Sequence, residues 1–448
     1  MTRFDERGCV ITGATPAALQ AYECALGALL AWRNGVDAPL AWALQDAPGF
    51  VMAHLLQAYM LVCSRDPNRV RAARPVLARA AELPASERER LHMAAISAAL
   101  ADDYEGTKAC LAEVLRTEPR DALALHVAHS FDYLTGDTAG MRHRVAAALP
   151  AWSSGLPGYH AVLAMHAFSL GECGEYDLAE QAAAAALALN PLDARAHHAM
   201  AHVFEMTGRT QAGIHWMTER VDGWGNGAAV ATHCWWHLAL FHLDQGRPGD
   251  ALALYDQQVR AGRSSAVADL IDAAALLWRI QLREGDTGAR WGELAAAWAP
   301  HIDDAFCSFN DLHAMLAFVG ARAWDQARRL ELALAAGQSL PTRHGATTRL
   351  LGLDACRAVM AFGRGDHALA ITLLASLPAL AHRLGGSHAQ LDVLHLTMQE
   401  AVDRVRRPTR RSAHDGRSAG RPERPHRPAT APSLRREPCC DRSAAARG

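Results

Sequence analysis

Small and apolar residues recur along this chain at helical spacing, and in one stretch they do so twice in quick succession. From His160 to Asp193, Leu163, Ala167 and Leu170 make one stripe, Gly174 interrupts it, and Tyr176, Ala179, Ala183 and Ala186 make a second that stops before Pro191. Two short helices packed as a hairpin follow from this. Gly tolerates the positive φ of a tight turn, Ala lets helices approach closely, and Pro cannot continue a helix. One period of about 34 residues later, His197, Met200, Ala201 and Phe204 occupy the packing stripe and Gly208 the turn.

The pattern extends in both directions. Thr15 and Pro16 supply the cap and first turn of a helix running to Trp32, and another opens over residues 37–42. Residues 50–63 predict a strongly apolar helix, stopped by Asp66-Pro67 and paired with 70–83. Ser86 and Glu89 form a capping box for a hairpin that ends at Pro119. Residues 121–134 pair with 139–149 around Gly136, and a break over 150–158 follows. Beyond the central stretch, 269–282 pair with 290–298, 303–311 read as an irregular loop, and 312–319 with 324–335 and 354–362 with 367–377 are two more hairpins. Gly223, Gly225 and Gly227 sit in a W-G-N-G segment that reads as a flexible connection. Strand-type alternation is hard to find. The fold class is all-α, a tetratricopeptide-like α-solenoid over residues 15–403 with a flexible N-terminus over 1–14.

Composition refines this picture. Half of the 448 residues are hydrophobic, yet no apolar run approaches the roughly 20 residues that span a bilayer. Residues 1–15 lack a basic region followed by an apolar one, so a soluble cytoplasmic protein is expected. Ten Cys with no C-x-x-C pair indicate buried free thiols rather than a disulfide framework or a thiolate zinc site. The net charge of −2 conceals a division: residues 404–448 carry 13 Arg and 4 acidic residues, leaving 32 basic and 43 acidic residues before them. That tail, rich in Arg, Pro, Ser, Gly and Ala, cannot bury enough apolar surface to fold and is expected to be disordered. It has neither aromatics for base stacking nor an apolar face for insertion, so neither a specific nucleic-acid partner nor a membrane is read from it. With one Lys, Lys108, against 44 Arg, the coding sequence reads as GC-rich, and out-of-frame translation of such DNA yields this mixture. A frameshift near residue 404 would leave the last repeat uncapped and prone to self-association.

Several separated segments are more specific than the repeat itself. Phe50-Val51-Met52-Ala53-His54, His202-Val203-Phe204-Glu205-Met206, Trp236-His237-Leu238-Ala239-Leu240, Arg290-Trp291, Phe309-Asn310-Asp311-Leu312-His313 and Gly385-Gly386-Ser387-His388-Ala389-Gln390 occur in this order. Together they resemble the tetratricopeptide repeat protein 38 family over roughly residues 15–400. The resemblance implies an all-helical repeat fold in a soluble protein and brings no reaction with it.

Chemistry concentrates on a few helix faces. His198, His202 and Glu205 are spaced i, i+4, i+7 and share one face, and His233 and His237 are a second i, i+4 pair with Trp236 between them. If the repeats resemble their relatives in geometry, this stripe looks into the concave groove of the solenoid, where His129 with Asp132, and Asn310, Asp311 and His313, meet it from other repeats. Such a groove suits a protein, peptide or small-molecule ligand, with Trp236 placed to stack on it. His and carboxylate together also suit a divalent metal, Zn, Fe or Mn, or general acid-base catalysis. The spacing matches neither the E-x-x-H of di-iron bundles nor H-E-x-x-H. A third reading has these groups hydrogen-bonding one another to hold repeats in register. No phosphate-binding loop, nucleophile elbow or β-α-β framework is present, and no residue is assigned as catalytic. The leading expectation is a non-catalytic binding scaffold needing no cofactor, and the alternative is a metal- or His-dependent enzyme acting on a small metabolite.

Overall fold

The computed structural model describes residues 2–407 apart from residue 284. Ten helical hairpins follow one another among these residues. They pair Pro16–Leu30 with Asp37–Asp46, Val51–Val62 with Pro67–Ala81, Glu87–Leu100 with Tyr104–Thr117, Ala122–Thr135 with Thr138–Ala148, and Tyr159–Glu172 with Tyr176–Leu189. Ala194–Met206 then pairs with Thr210–Glu219, Ala231–Asp244 with Pro248–Leu254, Val267–Leu282 with Arg290–Trp298, Ser308–Gly320 with Trp324–Gly337, and Leu353–Gly363 with His367–Leu374. A terminal helix, His388–Arg406, packs on the last hairpin and on Val267–Leu282.

Local chemistry accounts for most of these boundaries. Thr15 caps the first helix through Ala18, Ser86 and Glu89 make the expected capping box, and Gly174 turns the central hairpin at φ +82°. The second helix of the central hairpin buries only its stripe of Ala179, Ala183 and Ala186. The first helices of several hairpins are buried nearly all round, as in Ala194–Met206 and Ser308–Gly320. The sequence pattern makes 303–311 a loop, but the helix already begins at Ser308. Phe309, Asn310 and Asp311 are buried against neighbouring repeats, and that packing extends the helix past where periodicity alone starts it.

All-round burial has one geometric cause: the array closes on itself. Asn310 Nδ2 donates to the carbonyl of Arg65 at 2.8 Å, Tyr133 donates to Gln390 at 2.6 Å, and Arg343 Nη2 donates to the carbonyl of Leu134 at 2.6 Å. Each joins early repeats to late ones. Arg33 likewise donates to the carbonyls of Gly223 and Asn226, at 3.0 and 2.6 Å. The W-G-N-G segment is therefore pinned rather than a free connection, and the short helix Val221–Trp224 leads into it.

Two further expectations need correcting. Residues 2–14 are not a loose leader: Thr2–Phe4 and Val10–Thr12 form an antiparallel hairpin. Arg7, paired with Asp5 and Glu23, and Arg88, donating to the carbonyl of Val10, fasten it to the helices. Eight Cys in the described residues are free, but only Cys9, Cys234 and Cys356 are buried and Cys24 is exposed. The stretch His367–Leu384 reaches a mean hydropathy of 1.2 over 18 residues. It is divided among helices His367–Leu374 and Leu377–Leu380 and a 3-10 turn, because the chain turns at Ala375-Ser376, just before Pro378. Residues 404–406 complete the terminal helix. Residues 408–448 of the predicted basic tail, and the self-association expected of an uncapped end, lie outside the described residues.

The repeat period also appears in the polar chemistry. Asp121 and Asp193 each cap the first helix of a hairpin, and each spends its second oxygen on a residue 33 positions earlier, Arg88 at 2.6 Å and His160 at 2.6 Å. Asp121 also accepts from His92 at 2.9 Å, whose other ring nitrogen meets Tyr59. Replacing Asp121 by Ala strands a buried guanidinium, so a loss of about 3–5 kcal/mol is expected in urea unfolding. Adding Arg88→Met to that variant should restore part of it, because the stranded charge is then gone.

Candidate metal centre

Two neighbouring inner helices build the site. Asp193 caps Ala194–Met206, and the i, i+4 spacing puts His198 and His202 one turn apart on the face turned towards Ala231–Asp244, which presents His233 and His237 at the same spacing. The four rings meet: centroids lie 4.5 Å apart for His198–His202, 4.8 Å for His233–His237, and 4.6 and 5.0 Å for the cross pairs His202–His237 and His198–His233. One ring nitrogen from each histidine lies within 4.8 Å of the other three. His198 and His202 bring their Nε2 atoms to 3.0 Å.

Carboxylates stand behind three of the rings. His237 Nδ1 meets Glu205 at 2.8 Å, His233 Nδ1 meets both oxygens of Asp272 at 2.9 and 3.0 Å, and His202 Nδ1 faces Glu172 at 3.4 Å. Nδ1 thus points outwards to a carboxylate and Nε2 inwards to the other rings, the carboxylate–histidine arrangement that orients metal ligands and raises their basicity. His237 Nε2 is buried without a hydrogen-bond partner.

The electrostatics favour a cation at the centre. Burial, reinforced by the neighbouring histidines, holds His198 and His237 well below the usual imidazole range, and burial lowers His202 against the opposing pull of Glu172. Neutral imidazole is the metal-binding form. Burial, and then Asp244 and Asp392, push the Glu205 carboxyl well above its usual range. Among the described residues, the ion pairs of Glu172, Glu205 and Asp272 are with histidines, and the Arg279 guanidinium adds a charge attraction to Glu205. Inward lone pairs ringed by buried carboxylates are an arrangement that a positive ion completes.

Of the remaining predicted residues, Trp236 packs against the cluster and the others lie elsewhere. His129 contacts the Met165 carbonyl at 3.3 Å and Ser169 at 3.2 Å, and Asp132 is held by Arg144 at 2.8 Å. Asn310 is committed to Arg65, Asp311 to His344 at 2.8 Å, and His313 to the Phe309 carbonyl at 2.7 Å. Trp236 is fully buried, its ring parallel to His233 at 5.1 Å with the Arg279 guanidinium 5.3 Å away. These positions do not line an open groove, because closure of the array buries the stripe that an open solenoid would present. His233, with 17% of its side chain exposed, is the member of the cluster nearest solvent. Sequence reasoning missed Glu172 and Asp272. Their one signal is a carboxylate on an inner helix about one repeat from its histidine, 30 positions before His202 and 39 after His233.

The hairpins, their period and their turn glycines make this a TPR-like helical-repeat protein. No family model matches the sequence. The chain is similar to human IFIT1, solved as a dimer with m7Gppp-AAAA, at 12% identity over 87% of this chain and 93% of that one, with a TM-score of 0.42. It is also similar to the P58(IPK) TPR domain, at 14% identity over 72% and 83% of the two chains, with a TM-score of 0.22. Superpositions this loose carry no argument about the site.

The histidines outside the cluster make stability depend on pH. Burial holds His129 and His313 at about 3, whereas in an unfolded chain they titrate near 6.5. Between those values the unfolded state binds more protons, so stability is intact above about pH 6.5 and falls as the pH drops towards 3. The expected slope is about 1.4 kcal/mol per pH unit for each histidine. Urea midpoints compared at pH 7 and pH 5 should show the loss, and His129→Gln, which cannot titrate, should flatten the slope by about one proton.

Proposed function

We propose that this chain is a member of the tetratricopeptide repeat protein 38 family, cytoplasmic, whose repeat scaffold is built around one divalent transition-metal ion bound by His198, His202, His233 and His237. The convergence of four imidazole nitrogens within 4.8 Å carries the reading. Three backing carboxylates and the neutral state of the buried rings support it. An all-imidazole donor set suits Zn²⁺, Cu²⁺, Ni²⁺ or Fe²⁺ better than Mg²⁺ or Ca²⁺. The ion would join two consecutive repeats, making the scaffold rigid for a protein, peptide or small-molecule partner. Free thiols fit a reducing compartment. The second reading is a metal-dependent enzyme, and the partial exposure of His233 favours it by giving a small molecule a route to the ion.

Elemental analysis of the purified full-length protein tests the centre. Close to one equivalent of a transition metal is expected in the wild type and under about a tenth of that in the His202→Ala/His237→Ala variant, while His160→Ala keeps its metal. A wild type that takes up no transition metal on reconstitution, or a double variant that retains it, would refute the reading.

A further inference from the structure

Gly385–Gln390, conspicuous in the sequence, enters neither the four-histidine cluster nor a repeat stripe, yet it touches both ends of the closed array. Gly385 and Gly386 have φ of +73° and +104°. A Cβ on Gly385 would sit 2.5 Å from the Leu134 carbonyl oxygen, and one on Gly386 would sit 2.8 Å from the Phe309 ring. Only glycine passes between these walls in that conformation. Gln390 then accepts from Tyr133 at 2.6 Å and from its own cap residue Ser387 at 3.2 Å. The start of the terminal helix is thereby set against repeats far away in sequence.

Two groups standing behind the histidines grip the same turn. Glu172 is 5% exposed. One of its oxygens faces His202 Nδ1 at 3.4 Å, and the other accepts the backbone N–H of His388 at 3.1 Å and faces the His388 ring at 3.2 Å. A helix start has free N–H groups and a partial positive charge, so a carboxylate there is stabilising. On the opposite side, Arg279 Nη2 donates to the Ala389 carbonyl at 2.7 Å, and its guanidinium lies 5.3 Å from the Trp236 ring, which stacks on His233. One buried carboxylate therefore serves a candidate metal ligand and the first residue of the terminal helix together.

Resting on the metal reading above, we infer that Glu172 is a positioning residue that couples the two, so that metal binding at His202 and docking of the helix His388–Arg406 reinforce each other. A cation on Nε2 polarises the imidazole N–H towards Glu172. The second oxygen of the carboxylate is then held at the helix start. Without the ion, His202 Nε2 is shared with His198 and holds Glu172 less firmly. Coupling between two binding events is reciprocal, and a factor of about ten is ordinary for such a device.

Hydrogen–deuterium exchange on the full chain, with and without one equivalent of Zn²⁺, reads this directly. Zn²⁺ should slow exchange of the amides in residues 388–397 about tenfold and leave the distant helix Tyr104–Thr117 unchanged. Glu172→Gln should still bind at saturating Zn²⁺, its affinity reduced about 10- to 100-fold, but lose the added protection. Gly386→Ala, which displaces the helix start without touching the histidines, should weaken Zn²⁺ binding by the same factor that Zn²⁺ protects the helix. Zn²⁺ uptake with unchanged exchange, protection that persists in Glu172→Gln, or an unchanged affinity in Gly386→Ala would each overturn the coupling while leaving the metal centre standing. No Zn²⁺ uptake by the wild type would remove the centre and the coupling together.

Discussion

A polar group taken out of water must find a partner, and in this array the closing of the solenoid forces many out of water at once. An open solenoid could leave its concave stripe hydrated. Here the early and late repeats meet through Arg65, Tyr133 and Arg343, so imidazoles, carboxylates and guanidiniums on the inner helices are enclosed. The pairs that result, such as Arg88–Asp121, His160–Asp193 and Asp311–His344, each link one repeat to the next at a separation of 33 residues. Polar pairing therefore sets the register that the Ala stripes alone leave loose.

The four-histidine cluster is where this rule is met differently. Elsewhere Asp121 and Asp132 have a guanidinium beside them and Asp311 a lone histidine. At His198, His202, His233 and His237 the acids stand outside, the rings stand inside, and the inward nitrogens face one another. The same carboxylates continue outwards into the fold, with Glu172 reaching the terminal helix and Asp272 lying on the helix that also carries Arg279. Glu172 thus touches both the cluster and the start of the terminal helix, where early and late repeats meet.

Much of the fold was legible from residue patterns. The hairpin at Gly174, the capping box at Ser86 and the helix from Arg290 to Trp298 follow from spacing, turn residues and caps, all interactions between residues close in sequence. The two His pairs were legible for the same reason, since i, i+4 spacing places side chains on one face of any helix. The N-terminal hairpin was not, because residues 2–12 carry no alternating run and are held by Glu23 and Arg88 from outside. The early start of the helix at Ser308 was not, because burial of Phe309 to Asp311 against other repeats creates it.

By itself the sequence determined that the chain folds into stacked helical hairpins, and that His198 with His202 and His233 with His237 are presented in pairs. Local propensity and a short repeat period suffice for that. Only the tertiary structure decided that the two pairs face each other, that Glu172 and Asp272 back them, and that the supposed groove is an interior. Those outcomes depend on the accumulated rotation from one repeat to the next, a long-range quantity to which no single stretch of residues commits.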